Sequence, residues 1–281
     1  MPDTSSSLPN FLVIGAPKCA TTSLFRYLET HPQVYMAPGK ELRFFDKSFD
    51  RGIDWYTAHF AGAAGERALG EVTPLYLIDQ AAAPRIASML PDAKLIAILR
   101  HPVDRAYSQY WHSRLRDREA RPFGEVIDAQ LESEAAGEHP TASSIVSIGR
   151  YDRHLDRFSA YEERGRMQLF SFEDLRDDPG AVFSHVCEFL EVDQGHVPHN
   201  LGQAFNRPHR LRSRKARKAL LRSRLPARAP RVARWVDRLL RDETEYPPMD
   251  AGVRRVLLDT YRADNVALAA RWGRDLNDWN V

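Results

Sequence analysis

The chain contains only two cysteines in 281 residues, Cys19 in a loop pattern and Cys187 in a helical one, so a disulfide framework is not expected. It also lacks a long hydrophobic run. The first apolar stretch, Phe11 to Ala16, reaches six residues before Pro17, and the preceding MPDTSSSLPN carries no basic patch. Neither a signal peptide nor a membrane span is expected, and the reading is a soluble, cytoplasmic protein. The ten histidines are scattered, with no helical H-x-x-x-H pair beside a carboxylate, so no metal is expected. No internal repeat or low-complexity tract occurs.

One absence is local. Between Gln194 and Val236 there is no acidic residue, while twelve lysines and arginines fall there, among them Arg210, Arg212, Arg214 and Lys215. The net charge of +2 therefore conceals a remainder with 28 basic against 38 acidic residues. Such a gradient implies a localised anionic partner or an exposed basic helix without one.

What is present is a core-forming composition, 43% hydrophobic and 28% charged, compatible with one large domain. Buried-strand patterns recur at 10–15, 68–72, 94–100 and 167–172, each followed by a polar loop and then helical periodicity. Helices are predicted over 21–30, 79–89, 103–117, 122–135, 151–164 and 179–190, with two or three more between 212 and 271. The order implies an α/β fold, a central parallel sheet with helices on both faces and a helical C-terminal part. Residues 1–281 read as one domain, with a nucleotide-binding core at 8–200 and a basic, helical remainder at 201–281. Ligands of such sheets bind beyond the carboxyl ends of the strands, which selects Gly15 to Thr22, Thr73 and Pro74, Arg100 onward and Glu173.

The stretch GAPKCATTSLF, 15–25, has the position of a phosphate loop, between a strand and a helix. It is not the nucleoside triphosphatase loop, which would place glycine and lysine at 20 and 21, where Ala20 and Thr21 stand. Thr21, Thr22 and Ser23 occupy the first helical turn, where backbone N–H groups and the helix dipole favour an anion. Lys18 reaches that anion as a mobile charge. A second strand-to-helix junction, LRHPVDRAYSQYWH at 99–112, offers the planar fork of Arg100 and the hydroxyl of Ser108, which suit a phosphate monoester. His112 follows Ser108 by one turn and shares its face. Arg105 is expected to pair with Asp104 or other surface acids, and Tyr107, Tyr110 and Trp111 to be core residues. Two phosphate sites imply a nucleotide phosphorylated at two places.

On these motifs the chain resembles the sulfotransferases that use 3′-phosphoadenosine 5′-phosphosulfate (PAPS). PKCATTSL resembles their 5′-phosphosulfate loop, with Cys19 and Ala20 where relatives often carry a small residue and then glycine, and LRHPVDRAYSQY resembles their 3′-phosphate motif. KELRFFD (40–46), RGIDWY (51–56), GEVTPLYL (70–77), GRYDRHLDRF (149–158) and LFSFEDLRDDP (169–179) extend the likeness toward the heparan sulfate sulfotransferases and their bacterial relatives. The resemblance implies transfer of a sulfuryl group from PAPS to a hydroxyl or amine, releasing 3′,5′-ADP. It implies that Lys18 contacts the phosphosulfate and stabilises the bridging oxygen, and that the nucleotide is held by residues 18–23, Arg100, Ser108 and Tyr151. Part of the basic segment, Arg210 to Lys215, would fold over the nucleotide.

For the base, Glu41 in KELRFF matches the family's catalytic glutamate, with Phe44 and Phe45 offering the apolar surroundings that make a carboxylate a better proton acceptor. The alternative for Glu41 is a surface pair with Lys40. His112 corresponds to a histidine of the heparan-type N-sulfotransferase site. Glu173 stands third, and FEDL before a helix is also an ordinary N-terminal charge arrangement. Val72 replaces a lysine frequent in animal relatives, and their C-terminal cysteine pair is missing, which points to a bacterial-type enzyme. Two other classes remain. A nucleotide kinase would share the sheet but not this loop, and a nucleic-acid-binding protein would use the 207–234 segment but leave the nucleotide motifs unexplained, so no nucleic acid is expected as a partner.

Overall fold

The computed structural model describes residues 8–116, 118–138, 144–203, 205, 209–211, 241–243 and 246–281. Five strands form one parallel sheet: β1 (Phe11–Gly15), β2 (Val34–Met36), β3 (Ala68–Val72), β4 (Lys94–Leu99) and β5 (Met167–Ser171), in the spatial order β2-β3-β1-β4-β5. Every residue of β1 and β3 is buried, so the sheet is covered on both faces, which is why these strands are apolar runs without alternation. The close packing is visible at Gly70, where an added Cβ would lie 2.3 Å from the Phe11 ring.

The flanking helices include α1 (Thr21–Leu28), α2 (Ile53–Thr57), α3 (Ala82–Met89), α4 (Pro102–Arg114) and α5 (Phe123–Ala135). After them come α6 (Ile145–Ile148), α7 (Tyr151–Leu155), α8 (Ser159–Glu163), α9 (Phe172–Asp177), α10 (Pro179–Leu190) and α11 (Ala251–Trp272). A two-stranded antiparallel ribbon pairs His209–Leu211 with Arg241–Glu243. The four predicted strands and most predicted helices fall where the sequence puts them. The three-residue β2 is an addition, and the helix expected over 151–164 is broken by a 3-10 turn at Asp156–Phe158.

Helix ends follow local chemistry. His101 Nδ1 accepts from the Val103 N–H ahead of α4, whose first residue is Pro102. Asp250 caps α11 through Gly252 and Val253, and Asp178 caps α10 through Ala181. Ion pairs then tie α11 to the rest of the protein: Arg150 bridges Glu134 (2.8 Å) and Asp264 (2.6 Å), and Arg271 pairs with Asp152 (2.7 Å) and Glu162 (2.8 Å).

Arg105 corrects an expectation. It is fully buried and donates to the Ile145 carbonyl and to Gln109, while Asp104 takes Arg254 at 3.2 Å. At one residue per 100° of turn, Arg105 lies on the core face of α4 and Asp104 does not.

The topology fixes where a ligand can sit. From β1 the chain crosses toward β2 and β3, and from β4 it leaves in the opposite direction toward β5. The neighbouring carboxyl ends of β1 and β4 therefore open a crevice at the switch point.

Candidate active site

A cleft of about 870 Å³ occupies that crevice. Its floor is the turn from β1 to α1. Gly15 ends the strand where an added Cβ would meet Leu77 at 2.6 Å, so no side chain fits there. Lys18 and Ala20 then adopt left-handed backbones, φ 71° and 60°. Across the cleft Glu41 and Arg43 do the same, at φ 68° and 58°. Only one other non-glycine residue among the described residues, Glu191, has a positive φ. Non-glycine residues held this way cost about 1–3 kcal/mol each and collect at ligand-binding turns. The turn around Lys18 and Ala20 is also the backbone shape that aims N–H groups at an anion.

Pro17, Lys18, Ala20, Thr21, Thr22 and Ser23 line the cleft. Lys18 Nζ reaches His112 Nδ1 on α4 at 3.0 Å. Burial, with Arg116 and Arg100 nearby, pushes the Lys18 ammonium down to about 8.

The second junction supplies the opposite wall. The Arg100 guanidinium lies 4.3 Å from the Phe172 ring centroid, and its Nε is buried with no hydrogen-bond partner among the described residues. A buried guanidinium N–H left open beside a polar cleft fits an anionic group not supplied by the protein. Ser108, largely buried, also lines the cleft, close to Tyr246. Tyr246 in turn stacks on Trp111, with ring centroids 5.7 Å apart at 15°. Tyr246 and Phe205, both cleft-lining, were not singled out in the sequence, because neither stands in a strand-to-helix motif.

Glu41 faces the same cleft, its side chain 42% exposed and paired with Lys40 at 3.1 Å. Site position and surface ion pair thus coexist. Phe44 and Phe45 do not surround Glu41; they turn into the core against Tyr56 and Tyr76. Those tyrosines enclose a different carboxylate, Glu71, which the sequence analysis passed over. The available signal was a lone acid inside the otherwise apolar strand ALGEV.

Two expected contacts lie elsewhere. Cys19 is completely buried, with Sγ 3.9 Å from the Tyr151 hydroxyl, and that hydroxyl donates to the Arg100 carbonyl at 2.9 Å. Neither side chain reaches the cleft wall. They link the two ligand loops from behind, because the small apolar thiol is more stable in the core than at an anion site. Glu173 accepts from the His101 N–H and from the Ser171 hydroxyl, so its carboxylate fixes the start of α4. Arg210 lies in the short ribbon by its backbone, whereas Arg212, Arg214 and Lys215 lie outside the described residues.

This geometry agrees with the relationships of the chain. A profile of the sulfotransferase domain matches residues 8–207. The chain is 32% identical over 251 residues to heparan sulfate glucosamine 3-O-sulfotransferase 3B1 of Mus musculus, covering 85% of this chain and 61% of that protein. It is 31% identical over 300 residues to the bifunctional heparan sulfate N-deacetylase/N-sulfotransferase 3 of Homo sapiens, covering 98% of this chain and 31% of that one. The chain thus spans less than two-thirds of the first of these relatives and less than one-third of the second. Among solved structures, a sulfotransferase from Alicyclobacillus acidocaldarius superposes with a TM-score of 0.74 at 28% identity, over 98% of this chain and all of that one. With a phosphate-type loop, a second cationic junction and a family match along most of its length, the chain belongs to the sulfotransferase family, whose enzymes transfer sulfuryl groups.

Proposed function

We propose that the protein transfers the sulfuryl group of PAPS to a hydroxyl or amine of an acceptor and releases 3′,5′-ADP. The observation that carries this reading is the pairing, on one cleft, of the Lys18 loop with the buried Nε of Arg100, which has no partner among the described residues. One anion site would suit any phosphate; two suit a nucleotide charged at both its 5′ and 3′ positions.

In this reading the turn 17–23 holds the 5′-phosphosulfate, and Arg100 with Ser108 holds the 3′-phosphate. Glu41 or His112 takes the proton as the acceptor heteroatom attacks sulfur. The new bond joins that atom to sulfur, and the bond from sulfur to the bridging oxygen breaks. Lys18 stabilises the charge that develops on the bridging oxygen, where a positioned cation is most effective. The names of the relatives concern heparan sulfate, and the cleft carries a cationic excess: Lys18, Lys40, Arg43, Arg100, Arg118 and Arg121 line it against Glu41 and Glu119, which pair with Lys40 and Arg121, and that excess supports an acceptor that is itself anionic.

The test is twofold. Thermal unfolding should shift upward with 3′,5′-ADP and not with ATP. Labelled sulfate from PAPS should appear on sulfated or carboxylated glycans. Stabilisation by ATP alone would favour a kinase-type nucleotide site and overturn the proposal.

A further inference from the structure

Glu71, in β3, is 1% exposed, yet among the described residues it has no basic partner within hydrogen-bond reach. It accepts three hydroxyls instead. Tyr56 and Tyr76 donate to Oε1 at 2.9 and 2.8 Å, and Thr73 donates to Oε2 at 2.8 Å. A hydroxyl has a single proton, so one that donates to Glu71 presents only an acceptor on its other side. The Tyr76 oxygen accepts the Phe44 N–H at 2.8 Å, and the Thr73 oxygen accepts the Arg43 N–H at 3.3 Å. The Glu41 N–H donates to the Val72 carbonyl at 3.0 Å, and the Phe44 ring stacks on Tyr56 at 4.3 Å and 9°. The left-handed turn that carries Glu41 and Arg43 is therefore suspended from β3 through hydroxyls that Glu71 orients.

We propose that Glu71 is a positioning residue for the transfer: as a carboxylate it polarises Tyr76 and Thr73 so that their oxygens hold the 41–45 turn, and with it Glu41, against the cleft. The proposal rests on the sulfuryl-transfer reading, with Glu41 on the acceptor side.

The hydrogen-bond directions make the hold depend on charge. A protonated Glu71 would donate from one oxygen, and the hydroxyl there would have to accept. Where that hydroxyl is Thr73 or Tyr76, its own proton would face the N–H of Arg43 or Phe44, donor against donor; Tyr56, which accepts no N–H of the turn, is the one partner without that clash. The groups facing Glu71 are Tyr56 from α2, Thr73 and Tyr76 beyond β3, and Asp46, paired with Arg43, from the turn itself. Burial pushes the carboxyl up to about 7, against the pull of the three hydroxyls, and Asp46 adds to the rise. The sign follows. A folded-state value above the unfolded 4.5 means that Glu71 favours folding most below 4.5 and loses that contribution as pH rises through about 7. The turn is thus held best where Glu71 itself is least stabilising, above about 7.

Glu71→Gln keeps the shape but places an amide donor where the carboxylate only accepts. The expected result is a fall in kcat of about 10²-fold, as displaced catalytic groups give, with affinity for 3′,5′-ADP unchanged. Amide hydrogen exchange should quicken at residues 41–45, and the rise of wild-type kcat through pH 7 should vanish. Thr73→Val should reproduce the kcat loss and the faster exchange, and Thr73→Ser should restore both. Unchanged exchange at 41–45 in both Glu71→Gln and Thr73→Val overturns the proposal, as does a loss of 3′,5′-ADP affinity parallel to the loss of kcat. If the wild-type protein moves no sulfate from PAPS, the functional reading fails by itself, and the exchange measurement still decides whether Glu71 holds the turn.

Discussion

Lys18 Nζ stands 3.0 Å from Nδ1 of His112, a contact between residues 94 apart in the sequence that joins the β1 turn to α4. While the ammonium donates, Nδ1 accepts and the ring proton resides on Nε2, so His112 can take up a proton only when Lys18 turns from it to a bound anion. Neither phosphate motif alone contains this relationship. It ties the group proposed to stabilise the leaving oxygen to one proposed to handle the acceptor proton, so the two are set in register by one hydrogen bond.

The contact leads to a prediction about protons. With its ammonium pushed down to about 8 by burial, Lys18 is partly neutral near that pH in the absence of an anion. A bound phosphosulfate or phosphate favours the charged form, so binding must take up a proton, and affinity must fall as pH rises through about 8. Calorimetry with 3′,5′-ADP in buffers of different ionisation enthalpy should show that uptake. Lys18→Arg, charged at every accessible pH, should abolish it. Heats independent of buffer in the wild-type protein would contradict the assignment of Lys18 to the nucleotide.

The proposed role of Arg100 at the 3′-phosphate allows the two phosphate positions to be separated. Arg100→Ala should weaken 3′,5′-ADP by about 2–5 kcal/mol, the range for a charged partner left unpaired in a buried site. For 5′-AMP, which lacks the second phosphate, the loss should nearly disappear. Equal losses for the two nucleotides would move Arg100 away from the 3′ position.

Glu41→Gln preserves the volume of the side chain and its neighbours in the turn while removing its capacity to accept a proton. Turnover should fall by about 10²–10⁴-fold with nucleotide binding intact. Normal turnover would pass the role to His112, and His112→Asn would then be the variant that loses it.

Much of this arrangement is legible in the sequence, for a physical reason. Strands buried on both faces must be apolar runs, and the loops after them are bound to the ligand edge, so FLVIG and KLIAIL announce both the sheet and the site. β2 is not legible because three residues, Val34–Met36, carry no periodicity. Tyr151 and Cys19 misled for another reason: motif position gives a residue's place on the chain but not whether its side chain faces the ligand or the core. Glu71 was hidden by its neighbours. Its three hydroxyl partners come from residues 56, 73 and 76, and only the folded chain brings them together.

The ion pairs on α11 lend themselves to a stability measurement. The Arg150 side chain, 14% exposed, lies between Glu134 and Asp264. Arg150→Ala removes the cation shared by Glu134 and Asp264 and leaves Asp264 only its exposed partner Arg153 at 2.7 Å, so urea unfolding should report a loss of about 2 kcal/mol or more. A loss below about 1 kcal/mol would show that the pairs behave as solvent-screened surface contacts.

The place of β1 in the sheet bears on how the protein is made. The central strand is synthesised before both of its neighbours, β3 and β4, which begin at Ala68 and Lys94. Until Leu99 has emerged, β1 presents at least one bare hydrogen-bonding edge flanked by completely apolar residues. The turn that follows it has no fixed floor during that interval, since Ala16 is anchored to the Ile98 carbonyl. The nascent chain therefore carries its most adhesive segment longest without cover, and a fragment ending before Lys94 would retain that edge permanently.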